Sequence, residues 1–427
     1  YPSNSGFCML KQDFSINSLL KITERNEIIK FSLGRNADDY KEALVAISEE
    51  ISAPSFHIKN VLTKKIKDKN LFFTEIASEH YALKKITRDL KRLYKIQFSN
   101  RDDIAEQVLK VIETSAPYSI VRIDIKSFYE SISFENVLIK LSNDKLLSAK
   151  SILIIKKLYD NLATLGLPRG LSISPVLSEI FMRDFDRKVR EIKGVYYYAR
   201  YVDDIIIVSF DSNEHIYKEL MSTVKSFNLN INEKLYKNDI GIANNVQTSI
   251  QAKFDYLGYK YIITNNMFLF KRTVNIELAD DKRRKIKTRI IHSLIDRVYG
   301  DGNSTAKSTL LINRLKFLSS NYPISSSNKK NTDGILKGGI FYSNRLVNNI
   351  GIFNEFNTFL ARAINSKRNN FWGRAMRMIP STEKREIINT VCFVQGFKDK
   401  IYLELSESDM KEIKQCWKHK NHKGKKR

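Results

Sequence analysis

The chain has 427 residues, 42% hydrophobic and 11% aromatic, which argues against wholesale disorder and for two or three subdomains in place of one compact core. Lysine and arginine number 72 against 47 aspartates and glutamates, a formal +25 that draws polyanions, nucleic acid before an anionic membrane. Cys8, Cys392 and Cys416 are too scattered for a disulfide framework or thiolate zinc site, and His419 and His422 sit in a lysine-rich tail. No run nears the ~20 apolar residues of a membrane span and no signal peptide stands out, so a reducing, cytoplasmic setting without membrane attachment is expected. Tyr1 in place of Met leaves room for residues upstream.

In chain order, the first ~75 residues read as mostly helical, with Leu19, Leu20, Ile22, Ile28 and Ile29 among charges. From Leu83 to Arg101 the cations Lys84, Lys85, Arg88, Lys91, Arg92, Lys95 and Arg101 recur among apolar residues, either as a solvated helix face or as a grip on template and triphosphate. Tyr118–Ile125 alternates and is β-branched, a strand ending at Asp124–Lys126. Ser174 followed by Pro175 reads as an N-cap with proline at the first helical position, starting a helix that runs to about Lys193. Val195–Tyr201 and Ile205–Phe210 form a hairpin around Val202-Asp203-Asp204. A second hairpin is expected around Asn265-Asn266, with arms Tyr256–Ile263 and Met267–Arg272. Helix follows, with Ile286, Ile290, Ile291, Leu294, Ile295 and Val298 as its apolar stripe and Gly300 as its stop. Its other face carries Lys282, Arg283, Arg284, Lys285, Lys287 and Arg289, either solvated or tracking a phosphate backbone. A Ser/Asn-rich loop (319–334), further helix and the basic tail Lys418–Arg427 complete the chain.

The chemistry concentrates in three aspartates. Joining a nucleotide to a 3′-hydroxyl requires that the hydroxyl lose its proton and the leaving pyrophosphate be neutralised. Two Mg²⁺ ions do both, with Mn²⁺ as the substitute, and they need hard carboxylate oxygens. Asp124 ends a strand, and Asp203 and Asp204 share a turn between apolar arms, where a cation would relieve their repulsion. Two aspartates in a turn are also ordinary turn chemistry, so the surrounding blocks must decide.

Those blocks are VRIDIKSFYESIS (Val121–Ser133), GLPRGLSISPVLSEIFM (Gly166–Met182), Tyr201-Val202-Asp203-Asp204, Asn232-Glu233-Lys234 and FDYLGY (Phe254–Tyr259). In kind and order they resemble the palm motifs and primer grip of reverse transcriptases. The resemblance implies an α+β, right-hand polymerase fold with fingers, a palm built on an antiparallel sheet, a thumb and a helical C-terminal region. It suggests a helical N-terminal extension (1–75), fingers and palm (76–260), and thumb with C-terminal region and basic tail (261–427).

By resemblance, Asp124, Asp203 and Asp204 are catalytic metal ligands, with the Ile125 carbonyl as an extra ligand. Tyr129 stands where the family blocks a ribose 2′-hydroxyl. Pro168, Arg169 and Gly170 line the nascent base pair, although many relatives carry Gln where Arg169 stands. Lys95 and Arg101 are triphosphate candidates, and Lys234 is either a proton donor to pyrophosphate or a surface lysine. Tyr201, Tyr256, Leu257 and Gly258 face the nucleic acid, with Arg283, Arg284 and Lys287 along the thumb.

The Arg-Gly-Leu-Ser-Ile-Ser-Pro and Ile-Lys-Ser-Phe-Tyr-Glu-Ser-Ile forms resemble bacterial defence-associated and abortive-infection reverse transcriptases, with retron enzymes as the nearer rival. The partners implied are dNTPs, a DNA product and a structured non-coding RNA as template or cofactor, with self-association left open. A template-independent, protein-primed polymerase and a catalytically dead RNA-binding scaffold are the alternatives. The segment Gly338-Gly339-Ile340-Phe341-Tyr342 suggests no mechanism.

Overall fold

The computed structural model describes residues 10–66, 69–162, 164–241, 250–266, 271–324 and 337–418. The turn at 267–270, most of the Ser/Asn-rich loop and nearly all of the basic tail lie outside the described residues. In chain order the elements begin with α1 (Ile16–Leu20), α2 (Arg25–Lys30), α3 (Ala37–Ser52), β1 (Val61–Ile66), β2 (Lys69–Thr74), α4 (Ala77–Leu93) and α5 (Arg101–Ile112). There follow β3 (Tyr118–Asp124), α6 (Phe128–Ser131), α7 (Phe134–Asp144), α8 (Ala149–Asn161), α9 (Ser174–Arg190), β4 (Val195–Tyr201), β5 (Asp204–Ser209), α10 (Asn213–Ser226) and β6 (Tyr236–Ile240). The remainder comprises β7 (Ile250–Tyr256), β8 (Tyr259–Asn266), β9 (Lys271–Leu278), α11 (Asp280–Tyr299), α12 (Ser304–Ser319), β10 (Asn321–Pro323), β11 (Lys337–Gly339), α13 (Gly351–Ile364), α14 (Phe371–Arg377), α15 (Ser381–Thr390), α16 (Phe393–Lys398) and α17 (Glu407–Gln415).

The chain is α+β, and it divides into two compact units: Tyr1–Asn100 with Tyr118–Asp239, and Arg101–Pro117 with Ile240–Arg427. These divisions fall elsewhere than the boundaries drawn after residues 75 and 260, because α1–α3 pack into the same core as the palm segments and α5 belongs with the later chain.

In the first unit β3 lies between β5 and β6 in a four-stranded sheet of order β4-β5-β3-β6. Ile120, Val121 and Ile123 of β3 and Ile205 to Val208 of β5 are buried, so both strands read as near-continuous apolar runs covered on both faces. Register is set by pairing Ile123 with Ile205 and Asp124 with Asp204, which carries the apolar run straight into the acidic end. α9 begins at Ser174 itself, one residue earlier than expected, with Ile173 at the N-cap; the Ser174 hydroxyl donates to the Pro168 carbonyl at 2.6 Å. The hairpin β1–β2 is a second departure from the expected helical N-terminus. Its strands are largely exposed, so its lysines mimic the solvated face of a helix.

In the second unit β7, β8 and β9 form an antiparallel meander. The run 256–263, expected as one hairpin arm, is interrupted by a turn at Leu257-Gly258 (φ 47° and 77°). The Gly338-Gly339 segment now has a physical account. Asn321 is wholly buried, and its Oδ1 accepts from the Phe341 amide at 2.9 Å while its Nδ2 donates to the carbonyls of Gly396 and Ile401 at 3.2 and 3.0 Å. Gly339, at φ 117°, lies where a Cβ would collide with the Ser320 carbonyl, so only glycine lets β11 approach this knot.

Candidate active site

The geometry of the site follows from strand register. Asp124 ends β3 opposite Asp204, the first residue of β5, and Tyr201 ends β4 opposite the same residue. The turn between β4 and β5 is Val202-Asp203. Val202 sits at φ 60°, a left-handed conformation that a β-branched residue adopts only under constraint. The constraint is visible: the Ile125 amide donates to the Asp203 carbonyl at 2.9 Å, and Arg200 donates to the Val202 carbonyl at 3.2 Å. Arg200 is 7% exposed and pairs with Glu179 at 2.7 Å and Asp186 at 2.8 Å, both on α9. The strained tip therefore rests on a buried ionic base.

The three aspartates are not equivalent. Burial and the neighbouring Asp124 carboxylate push the Asp203 carboxyl above its ordinary range, with Arg169 and Lys69 pulling against them. Burial also raises Asp204, but this residue has a partner: Arg122 donates Nε and Nη2 to its two oxygens, each at 2.9 Å. Asp124 is held by Asn232, whose Nδ2 donates to Oδ1 and whose amide donates to the Asp124 carbonyl at 2.7 Å.

Asp124 and Asp203 thus form a pair of hard oxygen donors in which the Asp124 carboxylate disfavours the charge of Asp203, a seat that suits Mg²⁺ or Mn²⁺ in donor chemistry. Among the described residues no three His, Cys, Asp or Glu side chains converge as a metal-binding set, in keeping with the engagement of Asp204 by Arg122. Asp204 stands opposite Asp124 in the strand register and feels the charge of both other acids, with its own oxygens engaged by Arg122. The Ile125 amide ties the end of β3 to the Asp203 carbonyl at 2.9 Å.

Beside the acids, the Pro-Arg-Gly loop closes on the segment after β3. The Leu167 amide donates to the Tyr129 carbonyl at 2.8 Å. The Arg169 guanidinium lies 5.1 Å from the Tyr129 ring centre and donates to both Glu130 oxygens at 3.0 and 3.1 Å. Burial raises the Tyr129 phenol above its ordinary range, and Arg169 counters it. The Arg169 carbonyl accepts from the Phe72 amide at 2.7 Å, which ties the loop to β2. Gly170 (φ 106°) is needed there, because a Cβ would stand 2.5 Å from the Phe72 carbonyl oxygen. Pro168 is buried and contributes its carbonyl to Ser174, so only its backbone lines the loop.

The other candidates lie on different elements. Lys95 follows α4 in a left-handed conformation (φ 48°), beside a shallow pocket lined by Glu179, Arg183, Asp186 and Arg190. Lys234 is exposed. Arg101 belongs to the second unit, where it donates to Asp102 at 2.9 Å and the Ser343 carbonyl at 3.0 Å. Tyr256 is fully buried and Leu257 is 8% exposed, so neither side chain presents a nucleic-acid surface. At Gly258 a Cβ would stand 2.7 Å from Lys282 Cε. Lys282 itself is pushed down to about 7 by burial and by Arg101, and it donates to Ser343 and Asn344.

Along α11, Arg283 pairs with Glu355 at 2.6 Å and Arg284 pairs with Asp281. Lys287 lies over the Phe359 ring at 5.5 Å. The expected phosphate-tracking stripe is in large part used inside its own unit.

Sequence reasoning missed Lys69, and it quoted Arg122, Glu130 and Asn232 only within their blocks, without a role. Arg122 was within reach of strand alternation, since it shares a face with Asp124 two residues on.

Residues 58–261 match the family model described as Reverse transcriptase (RNA-dependent DNA polymerase). No curated protein matches the chain. Among solved structures, apo telomerase from Candida tropicalis truncated from its C-terminal domain aligns at 13% identity and TM-score 0.30, over 46% of this chain and 44% of that one. Telomerase from Candida albicans in complex with a TWJ fragment of telomeric RNA aligns at 14% identity and TM-score 0.31, over 79% of this chain and 56% of that one. The chain thus spans less than two thirds of either. Residues 58–261, just under half of the chain, are thus similar to a reverse transcriptase domain, in keeping with the α+β architecture described above.

Proposed function

We propose that this chain, which carries a reverse transcriptase domain, extends a DNA strand on an RNA template with Asp124 and Asp203 as its metal-holding pair. The observation that carries the reading is the pair of acids at the end of β3 and the tip of β4–β5, where Asp124 works against the ionisation of Asp203. Bound there, divalent ions would activate the 3′-hydroxyl and neutralise the leaving pyrophosphate. The chain's own residues do the rest. Asn232 fixes the Asp124 carboxylate. Arg122 holds Asp204 and with it the register of β5 against β3. Tyr129, gripped between Phe128 and Arg169, forms a wall that a ribose 2′-hydroxyl would strike, and so favours deoxynucleotides. Lys69 and Arg169, the cations that act on Asp203, meet the triphosphate.

The reading extends to a bacterial, cytoplasmic enzyme of the defence-associated kind working with a structured non-coding RNA. Its supports are the Arg-Gly-Leu-Ser-Ile-Ser-Pro form of the Gly166–Met182 block and the helical C-terminal region. The test is dNTP incorporation on a primed RNA template with Mg²⁺. Asp124→Asn and Asp203→Asn are each expected to lower it at least about a hundredfold. Incorporation at the wild-type rate would remove these residues from the chemistry. Products that ignore template sequence would mark a terminal transferase in place of a templated polymerase.

A further inference from the structure

Between Glu355 and Glu383 the chain carries five cations, Arg362, Lys367, Arg368, Arg374 and Arg377, and no carboxylate. All five are exposed, and among the described residues none forms an ion pair, unlike Arg283, Arg297 and Arg314 in the same unit. Unpaired surface cations are by themselves ordinary. Two large aromatic rings stacked in water among them are not. Phe371 is 56% exposed and Tyr299 is 52% exposed, and their rings stack with centroids 5.5 Å apart and planes 12° from parallel.

The surface is held in shape before any partner arrives. On α14, Gly373, Ala375 and Met376 are buried, so Phe371, Arg374, Arg377 and Met378 share the outward face. Asn370 caps the helix by accepting from the Gly373 amide at 3.0 Å. Gly373 leaves room for the Arg368 carbonyl, which a Cβ would strike, and Trp372 Nε1 donates to the Ala363 carbonyl at 3.0 Å. Arg368 and the stack are thereby presented from one rigid corner.

We propose that this corner binds single-stranded nucleic acid, an unpaired base stacking on Phe371 while Arg368, Arg374 and Arg377 meet the flanking phosphates. Charge complementarity selects a polyanion, and the exposed ring face selects one whose base faces are free, which a duplex hides. The inference rests on the polymerase reading only for taking the strand as RNA.

The test is fluorescence anisotropy of the full chain with a labelled oligouridylate and with a blunt RNA duplex, without dNTPs, across a KCl series. Phe371→Ala should weaken oligouridylate binding about tenfold and duplex binding far less, with Phe371→Trp restoring it. Arg374→Gln combined with Arg377→Gln should reduce the slope of log affinity against log salt by about 1.4. Lys110→Gln, which removes a cation of α5 in the same unit, should leave that slope unchanged. A 5-bromouridine oligonucleotide should photo-cross-link to peptides containing Tyr299 or Phe371. Wild-type affinity and slope in the variants, equal losses on duplex and single strand, cross-links only elsewhere, or stronger loss on anionic vesicles than on RNA would each overturn the proposal. Because binding is read without dNTPs, a wild-type chain that fails to incorporate would sink the polymerase reading and leave this surface standing.

Discussion

The tip of β4–β5 and the helix α11 both crowd like charges, and the protein treats them in opposite ways. At the tip, burial and Asp124 work against the ionisation of Asp203, while the bidentate arginine goes to Asp204. Along α11 the cations are spent locally: Arg283 on Glu355, Arg284 on Asp281, Lys287 on Phe359 and Arg289 on Trp417. Charge density in a sequence therefore does not separate a site from a packed or solvated face. The difference lies in whether the fold supplies partners, and by that measure Asp203 of the first unit and the cations of α13 and α14, which form no ion pair among the described residues, stand apart from those of α11.

The comparison breaks most visibly at Arg200, which underlies the strained tip. Replacing it by Met leaves Glu179 and Asp186 without their buried partner, at a cost of about 3–5 kcal/mol. Thermal unfolding should start well below that of the wild-type chain and incorporation should fall with it. Unfolding at the wild-type temperature would mean that the tip does not depend on this base. A smaller effect is expected at Glu27. Burial raises its carboxyl, but hydrogen bonds from His80 and Lys84 outweigh that and hold it at about 2. Its contribution is complete above the ordinary pKa of ~4.5 and is lost as pH falls toward the folded value. Glu27→Gln should cost roughly 2 kcal/mol at neutral pH and flatten the acid branch of urea stability measured between pH 4.5 and 2. An acid branch identical to wild type would show that the His80–Lys84 clasp contributes nothing.

The next effect is on selectivity. Tyr129→Val should let ribonucleotides compete about tenfold better in single-nucleotide incorporation, and Arg169→Gln, by releasing the ring, should move the same ratio less. Discrimination unchanged in both would place the sugar gate elsewhere. These residues also show how much could be read in advance. Asp124, Asp203 and Asp204 were legible because strand ends and turns are local features, Tyr129 and the Pro-Arg-Gly loop only through resemblance to a family, and backbone pairing links β3 to β5 and the loop to Tyr129. Arg122, Asn232 and Glu130 were not, because each acts through a partner that only register or loop closure supplies. The β1–β2 hairpin was hidden by its lysines, and Gly339 made sense only once the buried amide of Asn321 was seen.

The smallest effect sharpens the comparison most, because it asks α11 to be silent. Arg284 and Asp281 are side chains exposed by 75% and 78%, an i,i+3 pair that contributes well under about 1 kcal/mol and is weakened further by salt. Arg283 is more enclosed, 22% exposed and flanked by Glu277, Asp280 and Glu355. A phosphate reaching Arg283 would have to displace a carboxylate already 2.6 Å away and then lie beside three acids. Arg283→Gln with Arg284→Gln should therefore leave the salt slope of oligouridylate binding within about 0.3 of wild type, against the drop of about 1.4 expected for the α14 pair. A slope reduced equally by both pairs would mean that partner accounting in the free protein does not predict which cations nucleic acid recruits.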